Sequence, residues 1–397
     1  MSALTPGQRS AAAIAAATAI NLPFGTIYAF SVFLKPMEAM LGIGRADMTL
    51  IFGLAACSLT AGMNLAPFLF RRLTPFTLIA MAGAGSALGL LLTARATGLF
   101  DLVIGYGLLF GLGGGVGFIV VQQGVNQTVR SHTGLVNGYV IGLYPLGAML
   151  GAPLFGWAIE VYGLRPTLTG LAATVLSASL LCAFLLRLAD IRMQDSALGT
   201  AAVNDDPRWA IFARMFSVFF LAAAAGLTVM SQAAGIIQAY GGKTLMALGA
   251  TTFITGAIAA ARIAGGWLVD RFAVPQVAVF AHLFSLTGAI LLSVWPGPWV
   301  AIPALTMIGM GYGFISGTTA GAIAQYWHRN SFGRVASQLY IAWCVAAVSL
   351  PILAGWLYDR TQGYGTAVLI AAGGNVLGAI IAWGLPDGRR RAAVSGA

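Results

Sequence analysis

The chain has 397 residues, of which 59% are hydrophobic and only 8% are Asp, Glu, Lys or Arg. Soluble globular domains carry about 25% charged residues, so this composition excludes a water-soluble protein of this size. A formal net charge of +10 would suggest nucleic acid as a partner of a soluble protein. In membrane proteins, however, basic residues collect in cytoplasmic loops. We therefore expect a multi-pass membrane protein that binds no nucleic acid.

Twelve apolar stretches follow one another along the chain, each long enough to cross a hydrocarbon core. The first is too long to be a cleaved signal peptide and is taken as span 1. The sequence thus predicts an all-α integral membrane protein. Its spans are expected at about residues 11–34, 46–69, 74–95, 100–124, 135–160, 164–187, 209–238, 244–268, 274–295, 298–324, 335–357 and 364–385.

The distribution of basic residues predicts the orientation. Most of the 21 Lys and Arg residues lie in loops that twelve spans place on the same side as both termini. By the positive-inside rule, both termini are expected to be cytoplasmic. The expected location is the plasma membrane, which in a bacterium is the inner membrane of the cell.

A polar interval near the midpoint divides the spans into six and six. It contains Asp190, Asp195, Asp205 and Asp206 and is typical of a flexible linker. We therefore predict a first six-helix bundle at 1–188, a cytoplasmic linker at 189–208 and a second six-helix bundle at 209–397.

The two halves repeat each other. Span 4 contains Gly113–Phe118, and span 10 contains the similar run Gly309–Phe314. The end of span 5 from Pro153 matches the end of span 11 from Pro351, and the loops preceding these two spans also match. Three matches in order, each offset by about half the chain, indicate a duplicated half. Transporters that rock two halves about a midplane site have this construction.

The loop after span 8 has the sequence GWLVDRF, from Gly266 to Phe272. It is similar to the G-x-L-a-D-R loop signature of the major facilitator superfamily. The equivalent loop after span 2 keeps Arg71 and Arg72 but has Phe70 where the superfamily places an aspartate. The chain resembles this superfamily over essentially its whole length. The resemblance implies two pseudo-symmetric six-helix bundles.

Two further segments resemble one branch of that superfamily, the monocarboxylate and oxalate/formate transporters. The run Gly25–Phe33 in span 1 is similar to the opening helix of this branch. The segment from His132 to Pro153 is similar to its R-x-L-A-n-G…G…P pattern. In that branch an arginine of span 8 binds the substrate carboxylate, and Arg262 stands at that position.

Arg262 is also unusual on physical grounds, because it is a cation in the interior of a span. At the bilayer centre an arginine costs at least about 2.5–3.5 kcal/mol, so it is kept where it faces protein or a water-filled cavity. It precedes Asp270 by eight residues, about 12 Å along a helix, which puts it near the middle of the membrane. It could serve a structural role bonded to carbonyls, or bind a carboxylate through two parallel hydrogen bonds. We expect it to bind a small organic anion.

The chain departs from the branch at three positions. Proton-coupled members have an aspartate one turn before the arginine, where this chain has Ile258. The second cation of the oxalate carrier falls near Trp343, and the span 1 lysine of monocarboxylate carriers falls near Tyr28. With one intramembrane cation, a monocarboxylate is expected rather than a dianion. Anion exchange, uniport and proton symport stay open.

Uncharged polar and aromatic side chains in the spans are candidates to complete the site, or else they join helices to one another. The predicted substrate-binding residues are Arg262, Tyr28, Tyr340, Tyr312, Phe118, Gln122, Trp343, Tyr144 and Asn21. The predicted gating residues at the membrane edges are Asp270, Arg271, Arg71, Arg130 and Asp359. Four prolines within spans are expected to kink helices and assist gating: Pro23, Pro145, Pro303 and Pro351.

The sequence therefore predicts a secondary active transporter of small organic anions that works by alternating access. One alternative is a superfamily exporter or importer of another metabolite or drug, in which Arg262 shapes the gate. A second is a sensor that binds its ligand without transporting it. No ATPase motif, metal cluster or catalytic nucleophile is found, so neither a cofactor nor enzymatic activity is expected. The expected partners of this monomer are a carboxylate, the bilayer, and protons or a counter-transported anion.

Overall fold

The structure is a computed structural model that describes residues 4–70, 72–193, 208–361 and 363–387. Within these ranges every regular element is helical, and twelve helices are long and apolar enough to cross a membrane. The prediction of twelve spans is confirmed. The membrane helices are α1 Pro6–Gly25, α2 Arg45–Leu69, α3 Pro75–Ala94, α4 Leu99–Thr128, α5 Thr133–Tyr162, α6 Leu164–Leu188, α7 Arg208–Ala239, α8 Thr244–Val269, α9 Val274–Val294, α10 Pro298–Tyr326, α11 Phe332–Thr361 and α12 Gly365–Trp383.

The first span is less regular than the sequence predicts. α1 ends at Gly25, residues Thr26–Ala29 form a 3-10 turn, and Ser31–Leu41 is a separate helix. Pro23 lies in the last turn of α1, where it withholds a helical N–H group. The Thr26 hydroxyl donates to the Pro23 carbonyl, a side-chain bond that competes with regular helix at this point.

Contacts within the chain divide it into two compact units. The first comprises the described residues of Met1–Ser131, Leu143–Leu198 and Arg329–Tyr340. The second comprises those of His132–Gly142, Gly199–His328 and Ile341–Ala397. The start of α5 thus belongs to the second unit, and the start of α11 to the first. Residues 194–207 of the predicted linker lie outside the described residues, so the division at 189–208 stays a prediction.

Three helices of the second unit approach one another closely at Arg262. A Cβ atom placed on Gly317 of α10 would lie 1.9 Å from the Arg262 carbonyl oxygen, and one on Gly138 of α5 would lie 2.4 Å from it. Real Cβ atoms essentially never come within 3.0 Å of such an atom. Glycine is therefore required at both positions if α5, α8 and α10 are to keep this backbone separation.

We predict that Gly317→Ala destabilises the protein, because the added methyl group must displace the backbone of α8. Overpacking of this kind costs about 1–3 kcal/mol, so the thermal unfolding midpoint of the purified protein should fall. Gly249→Ala is the matched control, since Gly249 lies in α8 with open space around it. Equal midpoints for the two variants would contradict the close approach.

Candidate functional site

The Arg262 side chain lies buried in α8, with 2% of its surface exposed. Its Nη1 donates to the carbonyl oxygen of Ile141 in α5 at 3.0 Å. Its Nη2 donates to the hydroxyl of Tyr312 in α10 at 2.8 Å. The guanidinium carbon also lies 5.1 Å from the centroid of the Tyr312 ring, within the range of a cation–π contact. These two hydrogen-bond acceptors, a backbone carbonyl and a phenol, are neutral.

Four of the predicted aromatic residues come together within the first unit. The Phe118 ring makes edge contacts with those of Tyr144 and Tyr340, at centroid separations of 5.1 and 5.3 Å. The ring of Tyr28 contacts that of Tyr144 at 6.2 Å. The Gln122 side-chain amide lies 3.5 Å from the hydroxyl of Tyr340, to which it donates. The cluster offers hydroxyl and amide groups beside an apolar wall.

The remaining predicted binding residues are buried as well. Asn21 is 1% exposed in α1 of the first unit, and Trp343 is 5% exposed in α11 of the second unit. The second unit also contains Arg262 and Tyr312. The predicted set therefore divides between the two units, and its joint role in substrate binding stays a prediction.

Asp270, predicted as a gating residue, caps the start of α5. Its two carboxylate oxygens accept hydrogen bonds from the backbone N–H groups of Gly134 and Leu135, each at 2.8 Å. The first-turn N–H groups of a helix have no partner within the helix. A carboxylate there also complements the positive end of the helix dipole. The sequence indicated a charged loop at Asp270 but gave no sign of this cap.

The first unit caps α11 with an uncharged group. The side-chain oxygen of Gln123 accepts from the N–H of Gly333 at 2.7 Å, and its amide nitrogen donates to the carbonyl of Arg329 at 3.2 Å. The ring of Phe70, the repeat counterpart of Asp270, lies 3.4 Å from the Cβ position of Gly333. An amide from α4 thus acts where the second unit uses a carboxylate. The sequence showed the departure at Phe70 but gave no sign of this cap.

The other predicted gating residues have varied surroundings. The Arg271 guanidinium stacks on Trp267, with its carbon 4.0 Å from the ring centroid. Arg130 is exposed. Arg71 lies outside the described residues, as does the side chain of Asp359. The gating role of all of these residues stays a prediction.

A sequence profile of the Major Facilitator Superfamily matches residues 12–351, which is most of the chain. The chain belongs to the major facilitator superfamily. It is therefore a multi-pass membrane transporter, and the predicted superfamily fold of twelve helices is confirmed.

Curated relatives from this superfamily are similar along most of their length. Monocarboxylate transporter 13 of Rattus norvegicus is 26% identical over 369 residues, which cover 90% of this chain and 83% of the relative. Monocarboxylate transporter 11 of Mus musculus is 26% identical over 411 residues, covering 94% and 86%. These matches confirm the predicted resemblance to the monocarboxylate branch.

Solved superfamily structures have the same fold. The proton:xylose symporter XylE, bound to 6-bromo-6-deoxy-D-glucose, aligns with a TM-score of 0.76 and 14% identity over 96% of this chain and 97% of its own. FucP in its outward conformation aligns with a TM-score of 0.71 and 16% identity over 93% and 97%. At such low identity the likeness concerns the fold alone.

We predict that Asp270→Asn destabilises the protein. Asparagine replaces one of the two accepting oxygens by an NH2 group and has no charge, so one N–H group loses its present acceptor and the interaction with the helix dipole is weakened. One lost hydrogen bond costs about 0.5–1.5 kcal/mol and the lost charge about 0.3–1 kcal/mol, measurable as a lower thermal unfolding midpoint. The control is Asp190→Asn, which removes exposed contacts to Arg9 and Arg192 worth at most about 1 kcal/mol. A control variant as unstable as Asp270→Asn would count against the cap.

Proposed function

We propose that this transporter carries small organic anions, with monocarboxylates as its substrate class, and that Arg262 binds the substrate carboxylate. The observation that carries the proposal is the buried guanidinium in α8, solvated by neutral oxygens from two other helices. The similarity to monocarboxylate transporters 13 and 11 supports the same substrate class.

The charge of Arg262 supplies a mechanism for coupling binding to movement. A buried cation attracts anions from solution by focusing the local field. The carboxylate neutralises the guanidinium, and this lowers the cost of enclosing the site in an apolar environment. Reorientation of the loaded transporter then becomes more favourable than that of the empty one, as alternating access requires.

A single cation matches a single carboxylate. Arg262 is the one Lys or Arg in the interior of a predicted span. A dianion would bring a second charge into an apolar site, where an unpaired charge is costly. Monocarboxylates are therefore favoured over dicarboxylates.

The proposal includes the membrane arrangement that the sequence predicts. Both termini are cytoplasmic, the protein is a monomer in the plasma membrane, and residues 1–188 and 209–397 form the two bundles. Protons or a counter-transported anion complete the transport cycle.

We predict that Arg262→Gln abolishes monocarboxylate binding, because the substituted amide is neutral. The measurement is thermal stabilisation of the purified protein by L-lactate, pyruvate and benzoate, with succinate and lactamide for comparison. A ligand at 100 times its dissociation constant adds about 2.7 kcal/mol. Arg165→Gln is the control, since Arg165 is exposed at the start of α6 and its variant should respond like wild type. Uptake of the binding compound into proteoliposomes then follows.

The remaining outcomes of this experiment would favour other roles for Arg262 or other functions. An equal response of Arg262→Gln and wild type would make the arginine structural. Stabilisation by neutral or cationic compounds alone would favour an exporter or importer of another class. Binding without uptake would favour a sensor.

Tyr312 is the second residue whose variant tests the site. Its hydroxyl oxygen accepts from Arg262, so the O–H of Tyr312 takes no part in that bond and can donate to a carboxylate bound at the arginine. We predict that Tyr312→Phe keeps the ring contact but weakens monocarboxylate binding about fivefold. Tyr106→Phe is the control, because the buried Tyr106 hydroxyl has no hydrogen-bond partner among the described residues. Isothermal titration of both variants with the same anion measures the difference; equal affinities would remove Tyr312 from the site.

A further inference from the structure

A proline in α5 leaves one backbone oxygen near Arg262 without its helical donor. α5 is continuous from Thr133 to Tyr162 and contains Pro145 in its interior. Proline has no N–H group, so the carbonyl four residues earlier, that of Ile141, cannot make its helical hydrogen bond. This carbonyl is the one that accepts the bond from Arg262 Nη1.

We propose that Pro145 is a positioning residue for Arg262. By leaving the Ile141 carbonyl without its helical donor, it supplies the guanidinium with a fixed backbone acceptor. The inference rests on the proposed function, in which that guanidinium binds the substrate carboxylate.

The two groups need each other because both are buried. Ile141 and Arg262 are each 2% exposed. A buried carbonyl without a donor costs about as much as a lost hydrogen bond, and a buried guanidinium without acceptors costs more. The charge-assisted bond of 3.0 Å therefore gives the carbonyl a donor and the guanidinium one of its acceptors.

Packing of α5 on α8 keeps the acceptor in place. The Cβ position of Gly138 lies 2.4 Å from the Arg262 carbonyl oxygen, and that of Gly142 lies 3.2 Å from the Ala259 carbonyl oxygen. These glycines flank Ile141 in sequence. The helices consequently meet backbone to backbone on both sides of the acceptor, which limits its movement relative to α8.

The contact fixes the orientation of the guanidinium as well as its position. One terminal nitrogen bonds to Ile141 in α5 and the other to Tyr312 in α10. These two bonds to different helices help to define the direction of the guanidinium plane. An arginine fixed in this way loses less freedom when a carboxylate binds, and preorganisation of this kind raises affinity.

The first test is a double-mutant cycle on the thermal unfolding of the full-length protein without substrate. In wild type, Pro145→Ala introduces an N–H that competes with Arg262 for the Ile141 carbonyl. In Arg262→Met, the same N–H fills a vacant acceptor. We therefore expect Pro145→Ala to change the unfolding midpoint differently in the two backgrounds. The midpoint should fall less, or rise more, in Arg262→Met than in wild type.

Pro153→Ala is the matched control for the cycle. Pro153 lies in the same helix but is exposed, so its replacement should shift the midpoint equally in both backgrounds. Equal shifts from Pro145→Ala in the two backgrounds would overturn the proposal. Pro145→Ser, which also restores the N–H, should give the same coupling as Pro145→Ala. If neither Pro145→Ala nor Pro145→Ser folds by itself, each is combined with Arg262→Met. Folding of the double variants supports the proposal, and their failure to fold overturns it.

The second test is uptake of radiolabelled pyruvate and L-lactate into proteoliposomes. Pro145→Ala should raise KM about tenfold, as expected for the loss of a hydrogen bond to a charged group, and leave the maximal rate unchanged. A proline that acts only as a hinge would lower the maximal rate and leave KM unchanged, which would refute the positioning role. Pro153→Ala should retain the wild-type KM.

The two tests separate the inference from the proposed function. If the cycle shows coupling but wild type takes up neither probe, the positioning contact stands and the monocarboxylate assignment fails. If wild type transports a probe but the cycle shows no coupling, the function stands and the role of Pro145 is refuted.

Discussion

Burial of one positive charge in an apolar helix is the constraint on which the second unit depends. Arg262 lies where water is scarce, so the protein must supply its acceptors. They come from the carbonyl of Ile141 in α5 and the hydroxyl of Tyr312 in α10. Both helices must then lie close to α8, and glycines at 138 and 317 make that approach sterically possible. The hydrogen bonds to Arg262 and the glycines at the helix contacts thus both serve to bury its charge.

The sequence predicts the twelve helices because membrane spans depend on length and hydropathy, which are local properties. It also identifies Arg262, since the cost of a charge in hydrocarbon applies whatever the surrounding fold. A kink was expected at Pro23, but the end of α1 at Gly25 was not foreseen, because the apolar run continues past it. The capping of α11 by Gln123 was missed because it joins residues far apart in the chain. The sequence shows that a group such as Arg262 needs hydrogen-bond partners, but it does not show which residues supply them.

Backbone acceptors are the hardest to foresee from sequence. Every residue has the same carbonyl group, so the type of the residue does not show whether its carbonyl accepts a bond from another helix. A carbonyl such as that of Ile141 lacks its helical donor when the residue four positions later is proline. The prolines of the spans were expected to bend helices. Pro145 also leaves the Ile141 carbonyl without its helical donor, and this carbonyl accepts a bond from the neighbouring α8. Prolines that lie one turn beyond a close helix crossing are therefore informative about the cations and hydroxyls opposite them.

The caps of α5 and α11 differ in the charge of the capping side chain. Asp270 holds the start of α5 with a full negative charge, while Gln123 holds the start of α11 through neutral dipoles. Dissolved ions screen the interaction of a charge with a helix dipole but leave a short amide hydrogen bond almost unaffected. The two halves therefore use different interactions at this position: a charge and a helix dipole in one, an amide hydrogen bond in the other. We expect high salt to weaken the cap of α5 more than the cap of α11, so the internal repeat keeps the position of a cap but not its electrostatics.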